Sequence, residues 1–421
     1  MSEMKSLTLN DKTYDCFVDS VARSQVEATT VVNSASGETI ALSDASNYRL
    51  LGLHIYGKTT QDGTPTPEAP VDIVSAGDTG SIEGRVIGKN ILPLPYRDGP
   101  TKTVNGLTFS VNDDGSVSVS GTATENANFF FTSYNFALKK GVTYTVSLGD
   151  MIIASNAYLW IATDTKETIV GINLNNARSA VFTPKNDVHS AAVYIYVDAG
   201  GSVSGVLYPQ IENGAKATNY ERYKAQVMAV STPSGLAGIP VTSGGNYTDA
   251  NGQQWVCDEV DLARGVCVLR TGLMIFTAST AYSDFIASNG TVSAPLVKPK
   301  PASMALCTHA KKGIEFDWVN DTDVLFRVSH FNVTTLSEFK EFVQKEYNAG
   351  NPVTIRYMLA TPVEIPLSEA ERAAYAALHT YRGNTTVTND ASAHMELEYV
   401  MDAKKYIDSQ ISAGILAATV E

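Results

Sequence analysis

Carboxylates are the groups whose spacing most invites a chemical reading. Asp258-Glu259-Val260-Asp261 and Glu315-Phe316-Asp317 each place two acids at positions i and i+2, on one face of a strand. Carboxylates gathered from separate strands are what a glycoside hydrolase uses as acid and as base or nucleophile. A solvated strand face explains the same spacing without any reaction. Other catalytic signatures are missing: the chain has no G-x-G-x-x-G after a strand, no G-x-x-x-x-G-K-[ST] and no G-x-S-x-G. Its six histidines, His54, His189, His309, His330, His379 and His394, form no H-E-x-x-H or H-x-H pair and are read as structural or surface groups. Cys16, Cys257, Cys267 and Cys307 are too few and too scattered for a disulfide framework or a C-x-x-C metal site. Cys257 and Cys267 can face each other across a hairpin, with packed, reduced thiols expected. No catalytic residue, metal ligand or cofactor is assigned, and the chain is read as non-enzymatic.

The acidic loop of Val111-Asn-Asp-Asp-Gly-Ser-Val-Ser-Val-Ser-Gly121 suggests a calcium site until its ligands are counted. With Gly115 at position six of such a loop, Ser110 falls on the first ligand and Gly121 on the bidentate twelfth, so both fail. Strand register accounts for it better. The apolar faces match only if Val111 opposes Val117 and Phe109 opposes Val119, which leaves Asp113-Asp114-Gly115 as a hairpin loop with glycine in the left-handed region.

Aromatic residues offer the clearest binding feature. In Tyr158-Leu-Trp-Ile-Ala162, Tyr158 and Trp160 share a face opposite Leu159 and Ile161, and Tyr194 and Tyr196 similarly oppose Val193, Ile195 and Val197. If the aliphatic faces build a core, Tyr158, Trp160, Tyr194 and Tyr196 form an outer surface on which a carbohydrate can stack. The alternatives are rings inside a large sandwich, or rings covered by a neighbouring chain.

These side chains sit on short alternating runs, among them Leu107–Val111, Thr143–Ser147, Ala191–Val197 and Cys267–Arg270, separated by Gly, Asn, Asp, Ser and Pro. Such spacing predicts a mainly β protein of several antiparallel, jelly-roll-like β-sandwich modules with a few short helices. At 421 residues the chain exceeds the roughly 250–300 that one core usually serves. The boundaries read as an N-terminal β segment for docking over 1–58, a Pro/Gly-rich linker over 59–85, a β-sandwich domain over 86–223, a second β-rich domain over 224–398 and a C-terminal helix over 399–421. Capping boxes at Thr335-Leu-Ser-Glu338 and Ser368-Glu-Ala-Glu371 start two helices, the first with Leu336, Phe339, Val343 and Tyr347 as its apolar stripe and the second ending near His379. Ile407, Ile411 and Ile415 give the last segment a spacing suited to self-association or to connection with a partner. A net charge of −13 argues against nucleic-acid or anionic-membrane binding, and no run approaches the roughly 20 apolar residues of a membrane span. No signal-peptide pattern opens the sequence, so synthesis in a cytoplasm and any later exposure by another route, such as lysis, are expected.

Several stretches carry a family resemblance. Ser6-Leu-Thr-Leu-Asn-Asp-Lys-Thr-Tyr14, Leu53-His-Ile-Tyr-Gly-Lys58 and Thr64-Pro-Thr-Pro-Glu-Ala-Pro70 resemble the start of minor structural tail proteins of phages and prophages of Gram-positive bacteria. Gly88-Lys-Asn-Ile-Leu92, the hairpin and Gln210–Tyr223 resemble the opening, early hairpin and close of a carbohydrate-binding-like jelly roll common in them. Ser243–Asp261 and Ala360–Ser368 are similar to their C-terminal module. The resemblance implies a tail-tip, baseplate or tail-fibre component of the virion acting in host attachment. Its implied partners are other tail proteins, copies of itself, a homotrimer by analogy with fibre-like members, and a host cell-surface glycan. A tail scaffold without glycan binding and a glycan depolymerase are the alternatives.

Overall fold

In a computed structural model, residues 6–9, 12–15, 27–33, 39–133, 136–149, 152–286, 290–303, 305–310, 318–402 and 404 are described. Every strand pairing among them is antiparallel, and the chain is mainly β, as the alternating runs predict. No helix among the described residues is long and apolar enough to cross a membrane.

The middle of the chain forms a two-layer sandwich. One layer runs Thr168–Asn173, Ile152–Thr163, Val188–Leu207, Val117–Gly121, Leu107–Val111 and Thr101–Val104, with Ala127–Phe130 and Phe136–Leu138 pairing along the first half of Val188–Leu207. The other layer is Ser179–Phe182, Tyr144–Ser147 and Gln210–Asn213. Alternate residues fill the space between: Phe109, Val119, Phe129, Leu159, Ile161, Val193, Ile195 and Val197 meet Val146, Phe182 and Ile211 in one core.

The hairpin has the register the valines require. Val111 pairs with Val117 and Phe109 with Val119. Gly115 has φ of 82°, and its N–H donates to the Asn112 carbonyl at 2.9 Å, closing the turn. The Asp114 carboxylate accepts from the Ser116 N–H at 2.9 Å, so it serves the turn. The turn is then anchored to both ends of the module. Tyr96 donates to the Gly115 carbonyl at 2.7 Å and Tyr220 to that of Asp114 at 2.9 Å. Asn90 donates to the carbonyls of Pro209 and Glu221 and accepts from the N–H groups of Leu92 and Ile211. Gly88–Leu92, the hairpin and Gln210–Tyr223 thus form one hydrogen-bonded junction.

The rest of the chain is organised by an eleven-stranded sheet that ignores sequence order. Its path runs Ala225–Thr232, Gly80–Ile87, Gly383–Asn389, Thr39–Ala45, His394–Asp402, Gly52–Tyr56, Glu259–Asp261, Val266–Ile275, Thr354–Pro366 and Leu306–Cys307, and Glu27–Asn33 also pairs with His394–Asp402. Segments from 1–58 and 224–398 are therefore neighbours in one sheet. Gly80–Ile87, at the end of the Pro/Gly-rich stretch, lies inside it with Ile82 and Val86 in the core. Period two also overrides the helical pattern at the end of the chain. Tyr399 and Met401 are buried between half-buried Val400 and Asp402, so 399–402 finish a strand begun at His394. Ile407, Ile411 and Ile415 lie outside the described residues.

Both capping boxes are formed. The helix Leu336–Asn348 is capped by Thr335 and buries Phe339 and Val343 against Phe276, Phe326 and Phe331, whereas Tyr347 stays exposed. The helix Glu369–Ala377 is capped by Ser368 and stops two residues before His379.

Candidate aromatic binding surface

Tyr158, Trp160, Tyr194 and Tyr196 come together, half-buried, on the outside of the larger sandwich layer. Leu159, Ile161, Val193, Ile195 and Val197, which alternate with them, are at most 1% exposed, and this contrast is what assigns the rings to the outer face. Trp160 stands directly opposite Tyr194 and Tyr158 opposite Tyr196. Ring centroids are 5.9 Å apart for Tyr158–Trp160, stacked, and 6.4 Å for Tyr158–Tyr196, tilted.

Register adds residues that the sequence pattern does not single out. Phe130 pairs with Tyr194 and Asn128 with Tyr196, while Gly171 pairs with Trp160 and Asn173 with Tyr158. The surface is thus two rows across four strands: Gly171, Trp160, Tyr194 and Phe130 in one, Asn173, Tyr158, Tyr196 and Asn128 in the other. Phe130 stacks on Tyr194 at 4.8 Å, and the Arg97 guanidinium lies over Phe130 at 4.5 Å. Asp98 accepts from the Phe130 N–H at 2.7 Å and from Lys102 at 2.7 Å, and Lys102 also donates to the Asn128 carbonyl at 2.8 Å. The Asn128 Oδ1 is buried without a hydrogen-bond partner. Desolvation, and after it the hydrogen bond to Asp198, holds the Tyr196 hydroxyl protonated above its ordinary range. Flat rings with polar tips, edged by fixed donors and acceptors, suit a ligand with apolar ring faces and peripheral hydroxyls.

The carboxylates of Asp258–Asp261 are engaged elsewhere. Asp258 is 1% exposed and accepts from the N–H groups of Arg270, Thr271 and Ala237 and from the Thr271 hydroxyl. Burial pushes its carboxyl up, and these four donors pull against that. Glu259 and Asp261 share a face, and their oxygens lie with a His54 nitrogen within 4.8 Å of one another. Glu259 is bonded to His54 at 2.8 Å and to Arg270 at 2.8 Å. Burial would raise its carboxyl, yet His54 and Arg270 outweigh that and bring it below the usual value, which is the wrong direction for a general acid. Asp261 accepts from the Arg264 N–H at 2.9 Å. The structure therefore places Asp258, Glu259 and Asp261 in hydrogen-bond and ion-pair networks between strands. Glu315 and Asp317 lie outside the described residues. Cys257 and Cys267 are buried thiols that do not oppose each other, since Cys267 pairs with Val260.

No family model matches the chain, and no curated protein matches it. Among solved structures it is similar to that of infectious bursal disease virus, Gt strain, at 11% identity over 48% of this chain and 74% of that one, with a TM-score of 0.14. A VP2 subviral particle of the same virus matches at 10% identity over 49% and 78%, with a TM-score of 0.13. Overlap at that level assigns no role.

Proposed function

We propose that this chain is a structural component of a phage tail from a Gram-positive host, acting at the tip, baseplate or fibre, and that its sandwich attaches the particle to cell-surface saccharide. The observation that carries the binding half is the pair of aromatic rows on the outside of a fully packed sheet. Rings left half-exposed beside a complete aliphatic core are not needed to fill it, and the exposed parts of Tyr158, Trp160 and Tyr196 can meet a ligand. The tail assignment rests on the sequence stretches, three of which meet in the junction at Asn90, Asp114 and Tyr220. Neighbouring tail proteins and further copies of the chain are its partners, with a trimer as the favoured assembly. Its role is binding and not hydrolysis.

Fluorescently labelled protein should decorate cells of a susceptible Gram-positive strain, and Trp160→Ala should remove that labelling while particles still assemble. A scaffold without glycan binding gives the reverse: Trp160→Ala disrupts assembly and the wild-type protein labels no cell wall. Release of reducing ends from host walls, lost in Glu259→Gln, would instead make the chain a depolymerase.

A further inference from the structure

Resting on the multi-copy assembly proposed above and not on its saccharide half, we infer that copies of this chain join head to tail. The hairpin of Ser6–Leu9 and Lys12–Asp15 in one copy adds to the edge strand Glu27–Asn33 of the next, and the contacts close into a ring.

The accepting edge is open. Glu27–Asn33 pairs with His394–Asp402 on one side and, among the described residues, with no strand on the other. Which of its groups face outward follows from the ladder. The Leu51 and Ser46 N–H groups donate to the carbonyls of Glu398 and Val400 at 2.9 and 3.0 Å from the far side of His394–Asp402. Leu397, Tyr399 and Met401 therefore turn their N–H and C=O groups toward Val32, Thr30 and Ala28, and the alternate residues Thr29 and Val31 turn theirs outward. The side chains of Thr29 and Val31 are exposed as well, that of Val31 to 56%. No proline and no charge beyond Glu27 interrupts this stretch.

The ends of the sheet's path are guarded by contrast. Along Ala225–Thr232 the Ser231 N–H donates to Glu371 of the helix Glu369–Ala377 at 2.8 Å. Leu306–Cys307 is two residues long, and its Cys307 carbonyl accepts from Gln61 at 2.9 Å. Beside it, the exposed half of Thr354–Pro366 carries Pro362 and Pro366, which have no N–H to offer. A long edge without such guards is a place for strand addition.

The hairpin has the complementary need. Its strands are four residues each, and among the described residues they join no sheet. Two strands alone are marginally stable in water, so the hairpin requires a further strand to rest on. With Leu9 opposite Lys12 closing it, Thr8 and Thr13 form the pair that is not hydrogen-bonded within the hairpin, and their N–H groups face outward. Residues 16–26 tie the hairpin to Glu27–Asn33, and a link of that length reaches at most about 40 Å. In the single chain both margins stay open, so a second copy supplies what each lacks. Every copy then donates one hairpin and accepts one, a heterologous contact that closes as a ring, of three copies in the assembly proposed above.

Sedimentation equilibrium of the full chain, wild type and two variants, tests this. Val31→Pro removes an outward N–H from the accepting edge and no bond to His394–Asp402. Thr8→Pro with Thr13→Pro does the same to both margins of the donating hairpin. The wild type should sediment as three chains and each variant as one, with unchanged melting temperatures. Mixed in equal amounts, the two variants should form a two-chain species, because one keeps its hairpin and the other its edge. If proline at 31 lowers the melting temperature, Val31→Lys, which guards the edge by charge and leaves the backbone intact, should give the same result. Oligomers that persist in either variant, or folded variants that fail to complement, overturn the inference and leave the assembly reading standing. A wild type that sediments as one chain removes both.

Discussion

His54 and His394 stand on the same face of adjacent strands and are pushed in opposite directions. The hydrogen bond to Glu259 raises His54 against the cost of burial, with Asp261, Glu259 and Glu396 adding to it. Burial first, and then Lys58, lowers His394 to about 4, with Asp249 opposing. The pH consequences have opposite signs. The His54 contribution is complete below its unfolded value of about 6.5 and fades as pH rises through the higher folded value. His394 resists protonation in the fold, so stability falls as pH drops from about 6.5 toward 4, by at most about 3 kcal/mol. Urea melts across pH should show His54→Gln losing the decline above neutrality and His394→Phe losing the decline on the acid side. Identical pH profiles in wild type and both variants would contradict this. Neither role was legible in the sequence, because each depends on strands brought together from positions more than 200 residues apart or from across two strand pairings.

At the scale of elements, what was legible is what local chemistry dictates. The hairpin register follows from the valines and Gly115, and both helix starts follow from their capping boxes. Gly115→Val combines a φ of 82° with a Cβ 2.9 Å from the Tyr220 hydroxyl, so it should lower stability by about 1–3 kcal/mol in denaturant titration. Thr335→Ala, which removes a cap on an exposed helix end, should cost about 1 kcal/mol by the same measurement. A larger loss at Thr335 than at Gly115 would overturn the relative weights given to cap and turn. The aromatic surface was only half legible. Period two placed Tyr158, Trp160, Tyr194 and Tyr196 on outer faces, but Phe130, Asn128 and Gly171 join them through cross-strand register. A break in register between Ser155 and Ala157 hides that alignment from any count along the chain.

For the whole molecule, sequence order is a poor guide to which parts fold together. Composition marked 59–85 as a linker, yet Gly80–Ile87 bridges Ala225–Thr232 and Gly383–Asn389, because its Ile82 and Val86 complete a core supplied by both halves of the chain. The segment 88–223 closes its own core and its own ends at Asn90 and Glu221. Expressed alone, it should unfold cooperatively, with dispersed amide resonances. The segment 224–421 alone lacks Thr39–Ala45, Gly52–Tyr56 and Gly80–Ile87 from its sheet and should give no cooperative melt. A stable, cooperative 224–421 fragment would show that the interleaved strands are dispensable. If 88–223 folds by itself, it also carries the aromatic rows intact. The most direct measurement is then the affinity of full-length protein for polysaccharide purified from Gram-positive cell walls, compared with Trp160→Ala and Tyr194→Ala. The aromatic-surface account predicts saturable binding by the wild type, weakened at least tenfold in each variant with melting temperatures unchanged. Equal binding by all three proteins would contradict it.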